Sequence, residues 1–222
     1  MIKSNDIDSK LLERIKRCQL PVDKRKSLPF ECYWEDSILL QEQKHLFSNQ
    51  WIGLGRIDRL ETPGEYEAFE LCGQQLILIR DQNESLRLYA NTCRHRGAKL
   101  LDGSGQCQAI SCPFHGWTYS LSGDLKYAKK MSENPNFDFS EHSLIEYKLK
   151  EVKGFLFAFL GDKPTNLDSQ LGDFAELHQP WSLDELVTTK RETFEVQCNW
   201  KAFLDVFNEY YHLNNVHPTS ID

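Results

Sequence analysis

Apolar and polar positions change rhythm along the chain. Residues 9–20 carry apolar positions at helical spacing in a polar stretch that Pro21 and Pro29 interrupt, so a short amphipathic helix is expected there. Residues 38–51 (ILLQEQKHLFSNQW) repeat that spacing and predict a second helix. From Trp51 to about Leu160 the pattern becomes short β runs between turn signals. Residues 75–80 (QLILIR) and 86–90 (LRLYA) flank the turn Asp81–Glu84, and residues 117–121 (WTYSL) lead into the hairpin signal Ser122-Gly123-Asp124. Residues 155–160 (FLFAFL) are continuously apolar and predict a buried strand. After Pro164 the pattern is mixed to Glu185, alternates over 188–197 as a strand would, and turns helical over 201–213. Asn214-Asn215 and Pro218 terminate that helix.

The β stretch contains the most informative residues. Cys93-Arg94-His95 is followed, after sixteen residues, by Cys112-Pro113-Phe114-His115. Two thiolates can hold one iron of a [2Fe–2S] cluster and two imidazoles the other, which is Rieske ligation. Zinc is the competing reading, but Cys₂His₂ zinc sites pair like with like at C-x₂₋₄-C and H-x₃₋₅-H. Here each half-site carries one cysteine and one histidine. Gly97 and Gly116 suit loops whose backbone approaches the cluster and offers N–H groups to sulfur.

The helical stretch carries a second set. Glu209 and His212 are three apart and share a helix face. His217 is about 140° further round an ideal helix, so a straight helix cannot bring both histidines to one metal. Either a π-bulge intervenes, or the helix ends and His217 returns from the next turn. Pro218 and the asparagine pair favour the second. Two imidazoles plus one carboxylate would form the facial triad of non-haem Fe(II). Asp205, one turn before Glu209, is a candidate for ordering the helix or relaying protons, or is a solvated position.

These motifs together, CRHRGA at 93–98, CPFHGW at 112–117, NWK at 199–201 and E-x-x-H-x₄-H at 209–217, resemble the α (catalytic) component of Rieske non-haem iron oxygenases over about residues 28–222. The resemblance implies an α+β fold class. An N-terminal helical segment (1–45) precedes an all-β Rieske domain (46–165) and the truncated start of a helix-grip-like catalytic domain (166–222). It implies that Cys93, His95, Cys112 and His115 bind the [2Fe–2S] cluster and that His212 and His217 ligate a mononuclear Fe(II). Glu209 matches the acidic bridge between the two centres. In the family that residue reaches His115's counterpart in a neighbouring subunit, which implies a homotrimer. The implied electron source is NAD(P)H through a separate flavin- or ferredoxin-type reductase, and the implied reaction is hydroxylation of a small organic substrate with O₂.

Within the family, the wording NEYYHLNNVHP looks most like carnitine, betaine and choline monooxygenases. Aromatic-ring-hydroxylating dioxygenases, which usually carry Asp at the bridge, are the alternative. A Rieske electron carrier or a non-catalytic remnant is another. The cysteines that cytochrome-complex Rieske proteins join by a disulfide are replaced by Ala98 and Phe114, and their sulfur-bonding Ser by Trp117. A potential at the low end of the Rieske range, about −150 mV, is therefore expected.

Composition narrows the picture further. The 222 residues carry a net charge of −7 and no basic stripe, so no nucleic-acid partner is expected. No apolar run approaches membrane-spanning length, and the seven cysteines form no disulfide framework. A reducing cytoplasm is the expected setting. His45, His142 and His178 read as surface or packing residues, and Trp51, Trp117, Trp181 and Trp200 as core. Tyr210 and Tyr211 read as packing residues, and Phe203 and Phe207 as apolar surface awaiting a partner. The chain ends at Asp222, a poor third iron ligand, and reads as the N-terminal part of a longer protein.

Overall fold

The structure, a computed structural model, describes residues 8–219. Residues 1–7 of the expected N-terminal segment, and Asp222, lie outside them. The chain divides into two compact units. One comprises residues 43–190, and the other joins the segment ending at Glu42 to that beginning at Arg191.

In chain order the regular elements begin with α1 (Ser9–Lys16) and α2 (Asp36–His45). Strands β1 (Trp51–Arg56), β2 (Glu65–Leu71), β3 (Gln74–Arg80), β4 (Leu86–Ala90), β5 (Ser104–Gln106) and β6 (Ile110–Ser111) follow. Then come β7 (Thr118–Tyr119), β8 (Leu125–Tyr127), β9 (Glu146–Val152) and β10 (Phe155–Phe159). Helices α3 (Leu167–Leu171), α4 (Phe174–Leu177), α5 (Trp200–Phe207) and α6 (Leu213–Val216) complete the order.

An antiparallel sheet runs β1-β10-β9-β4-β3-β2-β5, and a smaller one runs β6-β7-β8. Strand β3 shows why. Leu76, Ile77, Leu78 and Ile79 are all fully buried. Successive side chains leave a strand on opposite faces. Ile77 and Ile79 therefore pack with Tyr89, Ile110, Trp117 and Tyr119, while Leu76 and Leu78 pack with Leu60, Leu88, Leu156 and Ala158. The first cluster loop leaves β4, and the second joins β6 to β7. Cys93 and Cys112 are themselves members of the first core, so the two candidate ligand loops are built on packed side chains.

A buried carboxylate fixes the β3–β4 turn. Asp81 is fully buried. It accepts from the amides of Asn83 (2.8 Å) and Ser85 (3.0 Å) and from Arg87 Nε (2.9 Å). Arg87 also donates to Glu146 of β9 at 3.0 Å, which couples the turn to the neighbouring strand.

Several expectations shift. Helix α2 starts at Asp36 and ends at His45, and Trp51 opens β1 instead of closing a helix. Residues 188–197 form no regular element and join no ladder among the described residues. Period-two alternation marks a face, whereas a strand also needs a backbone partner. Trp51 is core, but Trp181 is largely exposed. Tyr210 and Tyr211, read as packing residues, are 83% and 91% exposed.

Candidate metal centres

The two cluster loops share one backbone construction. The Cys93 amide donates to the Ala98 carbonyl and the Cys112 amide to that of Trp117, each at 2.8 Å. The Gly97 amide donates to the Cys93 carbonyl and the Gly116 amide to that of Cys112, each at 3.0 Å. Both glycines have positive φ, 75° and 71°. An added Cβ would meet nothing within 4 Å at Gly116 and only Thr92 Cγ2, at 4.0 Å, at Gly97. Conformation, not space, therefore explains these glycines. Their own N–H groups serve their loop's cysteine carbonyls.

Asn91 closes the first loop. This fully buried side chain accepts from the Leu100 and Leu101 amides (3.0 Å each) and donates to the Leu101 carbonyl (2.7 Å). Only its place two residues before Cys93 could have flagged it in the sequence.

The four ligand candidates come together in two pairs. The His95 and His115 rings meet edge to face with centroids 4.7 Å apart. His95 lies flat on Trp117 at 4.8 Å and 11°, so Trp117 is a core residue that also braces a ligand. His142 packs on Trp117 and Phe137. The cysteines are buried beneath. The Cys93 sulfur lies 3.3 Å from the Tyr119 hydroxyl, which accepts from the Arg94 amide at 3.0 Å. Tyr119 was not singled out from the sequence. With Cys93 as a thiolate ligand, this hydroxyl would donate to the sulfur and work against an extreme low potential.

A [2Fe–2S] cluster fits these residues. His95 Nδ1 is buried and has no hydrogen-bond partner, the state of a ligand nitrogen awaiting metal. Burial, then the neighbouring His115 and Arg96, pushes the His95 pKa down and favours the neutral, coordinating imidazole. No three His, Cys, Asp or Glu side chains converge on a single-ion position among the described residues. Two separated pairs suit two irons better than one zinc.

The second site departs from the expected continuous helix over 201–213. Helix α5 ends at Phe207, with Asn208 as its C-cap. The Glu209 carboxylate then turns inward. One oxygen accepts from the Tyr211 and His212 amides, and the other lies 2.5 Å from His212 Nδ1. A side chain that satisfies local backbone donors competes with the helix, which explains the break. Glu209 and His212 meet through this turn, not through helical spacing. His212 and His217 are the N- and C-caps of α6, with ring centroids 5.7 Å apart at 72°. The helix thus ends and restarts, the second of the two alternatives.

With its Nδ1 engaged by Glu209, His212 would have Nε2 left for a metal, as in a carboxylate–histidine–metal arrangement. The hydrogen bond to His212 holds the Glu209 carboxyl below its ordinary pKa. Two imidazoles fit the histidine part of a non-haem iron site, and no third carboxylate joins them among the described residues. Asp205 sits on α5 and accepts from the Tyr33 hydroxyl at 2.6 Å. Phe203 and Phe207 meet at a tilt, with ring centroids 4.7 Å apart, and are exposed.

Comparison with known proteins agrees with this division. The Rieske [2Fe-2S] domain family matches residues 50–147. The ring hydroxylating alpha subunit (catalytic domain) family matches residues 183–222. The carnitine monooxygenase oxygenase subunit of Acinetobacter pittii is 32% identical over 199 residues, covering 88% of this chain and 54% of that protein. The glycine betaine monooxygenase oxygenase subunit of Chromohalobacter salexigens is 29% identical over 194 residues, covering 86% and 43%. The crystal structure of the quaternary ammonium Rieske monooxygenase CntA with L-carnitine has a TM-score of 0.79 at 32% identity, covering 87% of this chain and 57% of that one. Naphthalene 1,2-dioxygenase from Rhodococcus sp. has the same TM-score at 25% identity, covering 94% and 49%. The chain spans about half the length of the curated relatives it matches.

Proposed function

The chain belongs to the family of Rieske non-haem iron oxygenase α subunits, and from that premise we propose that it forms part of a monooxygenase acting on a quaternary ammonium compound. The reaction consumes O₂, two electrons and two protons. It places one oxygen atom on a carbon of an N-alkyl group and releases the other as water. The resulting carbinolammonium breaks its C–N bond as its hydroxyl proton leaves, which gives a tertiary amine, a carbonyl compound and a proton.

The cluster supplies one-electron transfer when bound, and the mononuclear iron supplies O₂ activation. Cys93, His95, Cys112 and His115 would hold the first, and His212 and His217 would contribute to the second. The residues of the chain have separate tasks. Asn91 and the paired cysteine–glycine bonds preshape the cluster loops. Trp117 fixes the plane of His95, and Glu209 selects the tautomer of His212. Exposed His115 and Phe114, whose rings lie 4.1 Å apart, give the cluster loops an accessible tip for exchange with a partner. A separate NAD(P)H-dependent reductase is the proposed donor, and a homotrimer the proposed assembly. The five cysteines outside the cluster ligands are unbridged, which suits the cytoplasmic setting proposed here.

The observation that carries this reading is the Glu209–His212–His217 turn in a chain that also holds the two Rieske loops. The higher identity to the carnitine and betaine enzymes favours a quaternary ammonium substrate over an aromatic one. The intact subunit, with reductase, NAD(P)H and O₂, tests this. A carnitine or betaine should give C–N cleavage coupled to NAD(P)H use. Coupled turnover on naphthalene alone would replace this reading with the dioxygenase one.

A further inference from the structure

The NWK motif at 199–201 supplies no metal ligand, yet all three side chains are engaged. Asn199 caps α5, its side-chain oxygen accepting from the Lys201 amide at 3.1 Å. The Trp200 indole donates to Glu42 Oε2 at 2.9 Å. The Lys201 ammonium donates to both Glu42 oxygens at 2.7 Å. Lys201 is only 9% exposed. A buried ammonium requires a counter-charge, and Glu42 provides it.

The far end of α5 has its own attachment. The Tyr33 hydroxyl donates to Asp205 Oδ2 at 2.6 Å. That hydrogen bond, aided by burial, pushes the Tyr33 pKa up to about 12, so the phenol remains a donor at neutral pH. The Asp205 carbonyl accepts from the Asn208 amide at 3.2 Å, where the helix stops and the Glu209 turn begins. Between these points Phe203, Leu204, Val206 and Phe207 are exposed. Within this chain those apolar side chains do not anchor α5. The polar contacts at its two ends do.

We infer that Glu42 and Tyr33 are positioning residues for the iron ligands His212 and His217, acting through the two ends of α5. The inference rests on the reading of those histidines as iron ligands. An imidazole pair binds iron well only when both rings are presented at fixed separation. The turn that presents them starts from a helix that Glu42 and Tyr33 hold in place.

The test uses the intact subunit with its cluster in place. The mononuclear site is emptied and titrated with ferrous iron, and the nitric oxide adduct of the bound iron is recorded by electron paramagnetic resonance. Cluster absorbance and thermal unfolding are followed in parallel. Glu42→Gln keeps the side-chain shape and removes the charge. Tyr33→Phe removes one hydroxyl at an accessible position and should leave folding intact. Each is expected to weaken ferrous iron binding about tenfold, the lower end for loss of a supporting contact. Each should also alter the nitric oxide signal while cluster absorbance stays at the wild-type level.

Wild-type affinity and signal in both variants would overturn the inference. So would iron loss only in step with cluster loss or unfolding. His212→Ala separates the two levels of the argument. If it loses iron while Glu42→Gln and Tyr33→Phe do not, only the positioning role fails. If it binds iron like the wild type, the iron-site reading fails and takes this inference with it.

Discussion

The Tyr119 hydroxyl lies 3.3 Å from the Cys93 sulfur while accepting from the Arg94 amide. With Cys93 as a thiolate ligand, the phenolic hydroxyl would be the donor of this contact. A thiolate ligand can only accept, and it accepts more strongly as the cluster gains an electron. Tyr119→Phe removes the phenolic proton and also the acceptor of the Arg94 amide. The expected result is a reduction potential lowered by about 40 mV, the one-electron equivalent of a roughly 1 kcal/mol difference in hydrogen-bond strength. Protein-film voltammetry checks it, and an unchanged potential would show that the hydroxyl does not polarise the sulfur.

Asn91 bears on the same loop from its base. Replacing it by Leu keeps the branching pattern but adds bulk, and strips three hydrogen bonds from a fully buried position. The Leu100 and Leu101 amides would then lose their acceptor, at a cost of about 2–3 kcal/mol. Asn91→Leu should unfold at lower denaturant and hold less cluster after purification. Urea titration and iron-to-protein ratio measure the two effects, and full cluster content would show that the cysteines alone organise the loop.

Residues 75–80 and 86–90 were legible because burial on both faces writes a continuous apolar run. The ligand pairs were legible because coordination chemistry limits residue type and spacing. Tyr119 was not, since a tyrosine seven residues after Cys112 has no spacing rule until the β6–β7 hairpin brings it back over the first loop. The helical reading of 201–213 failed at Glu209. Periodicity counts apolar positions and does not register a carboxylate that caps its own turn. The alternation over 188–197 suggested a strand, but a strand's existence depends on a partner that local sequence does not specify. Glu42 and Lys201 are 159 positions apart, so neither predicts the other.

The Asp81–Arg87 pair gives the Rieske domain a pH-dependent stability. Burial alone would raise the Asp81 pKa. The hydrogen bond from Arg87 and the amides of Ser85 and Asn83 outweigh it, and the net shift is downward. A carboxyl whose folded pKa lies below its unfolded value of about 3.9 contributes stability above that pH and loses it as pH falls through the folded pKa. Asp81→Asn should therefore be destabilised by about 2 kcal/mol near neutrality. The deficit should shrink below about pH 4 as the wild type loses the same interaction. Urea unfolding at the two pH values checks this, and a deficit that grew on acidification would reverse the assigned sign.

Glu209 makes the strongest demand on the iron site because it serves two kinds of donor. It fixes the His212 ring through Nδ1 and holds the turn through the Tyr211 and His212 amides. Glu209→Gln preserves the shape but lets an amide N–H face the ring, which permits the wrong tautomer. It also removes the negative charge that raises the basicity of the ligand. Loss of such a supporting carboxylate weakens metal binding about 10–100-fold, while the Rieske loops, which Glu209 does not build, should keep their cluster. The His212 contact holds the carboxyl below its ordinary range, so it stays ionised from about pH 6 to 8. The deficit of the variant should accordingly be constant across that interval. Iron content per cluster after dialysis at several pH values measures it. A deficit that vanished within that interval would mean that another group, and not Glu209, sets the protonation of the site.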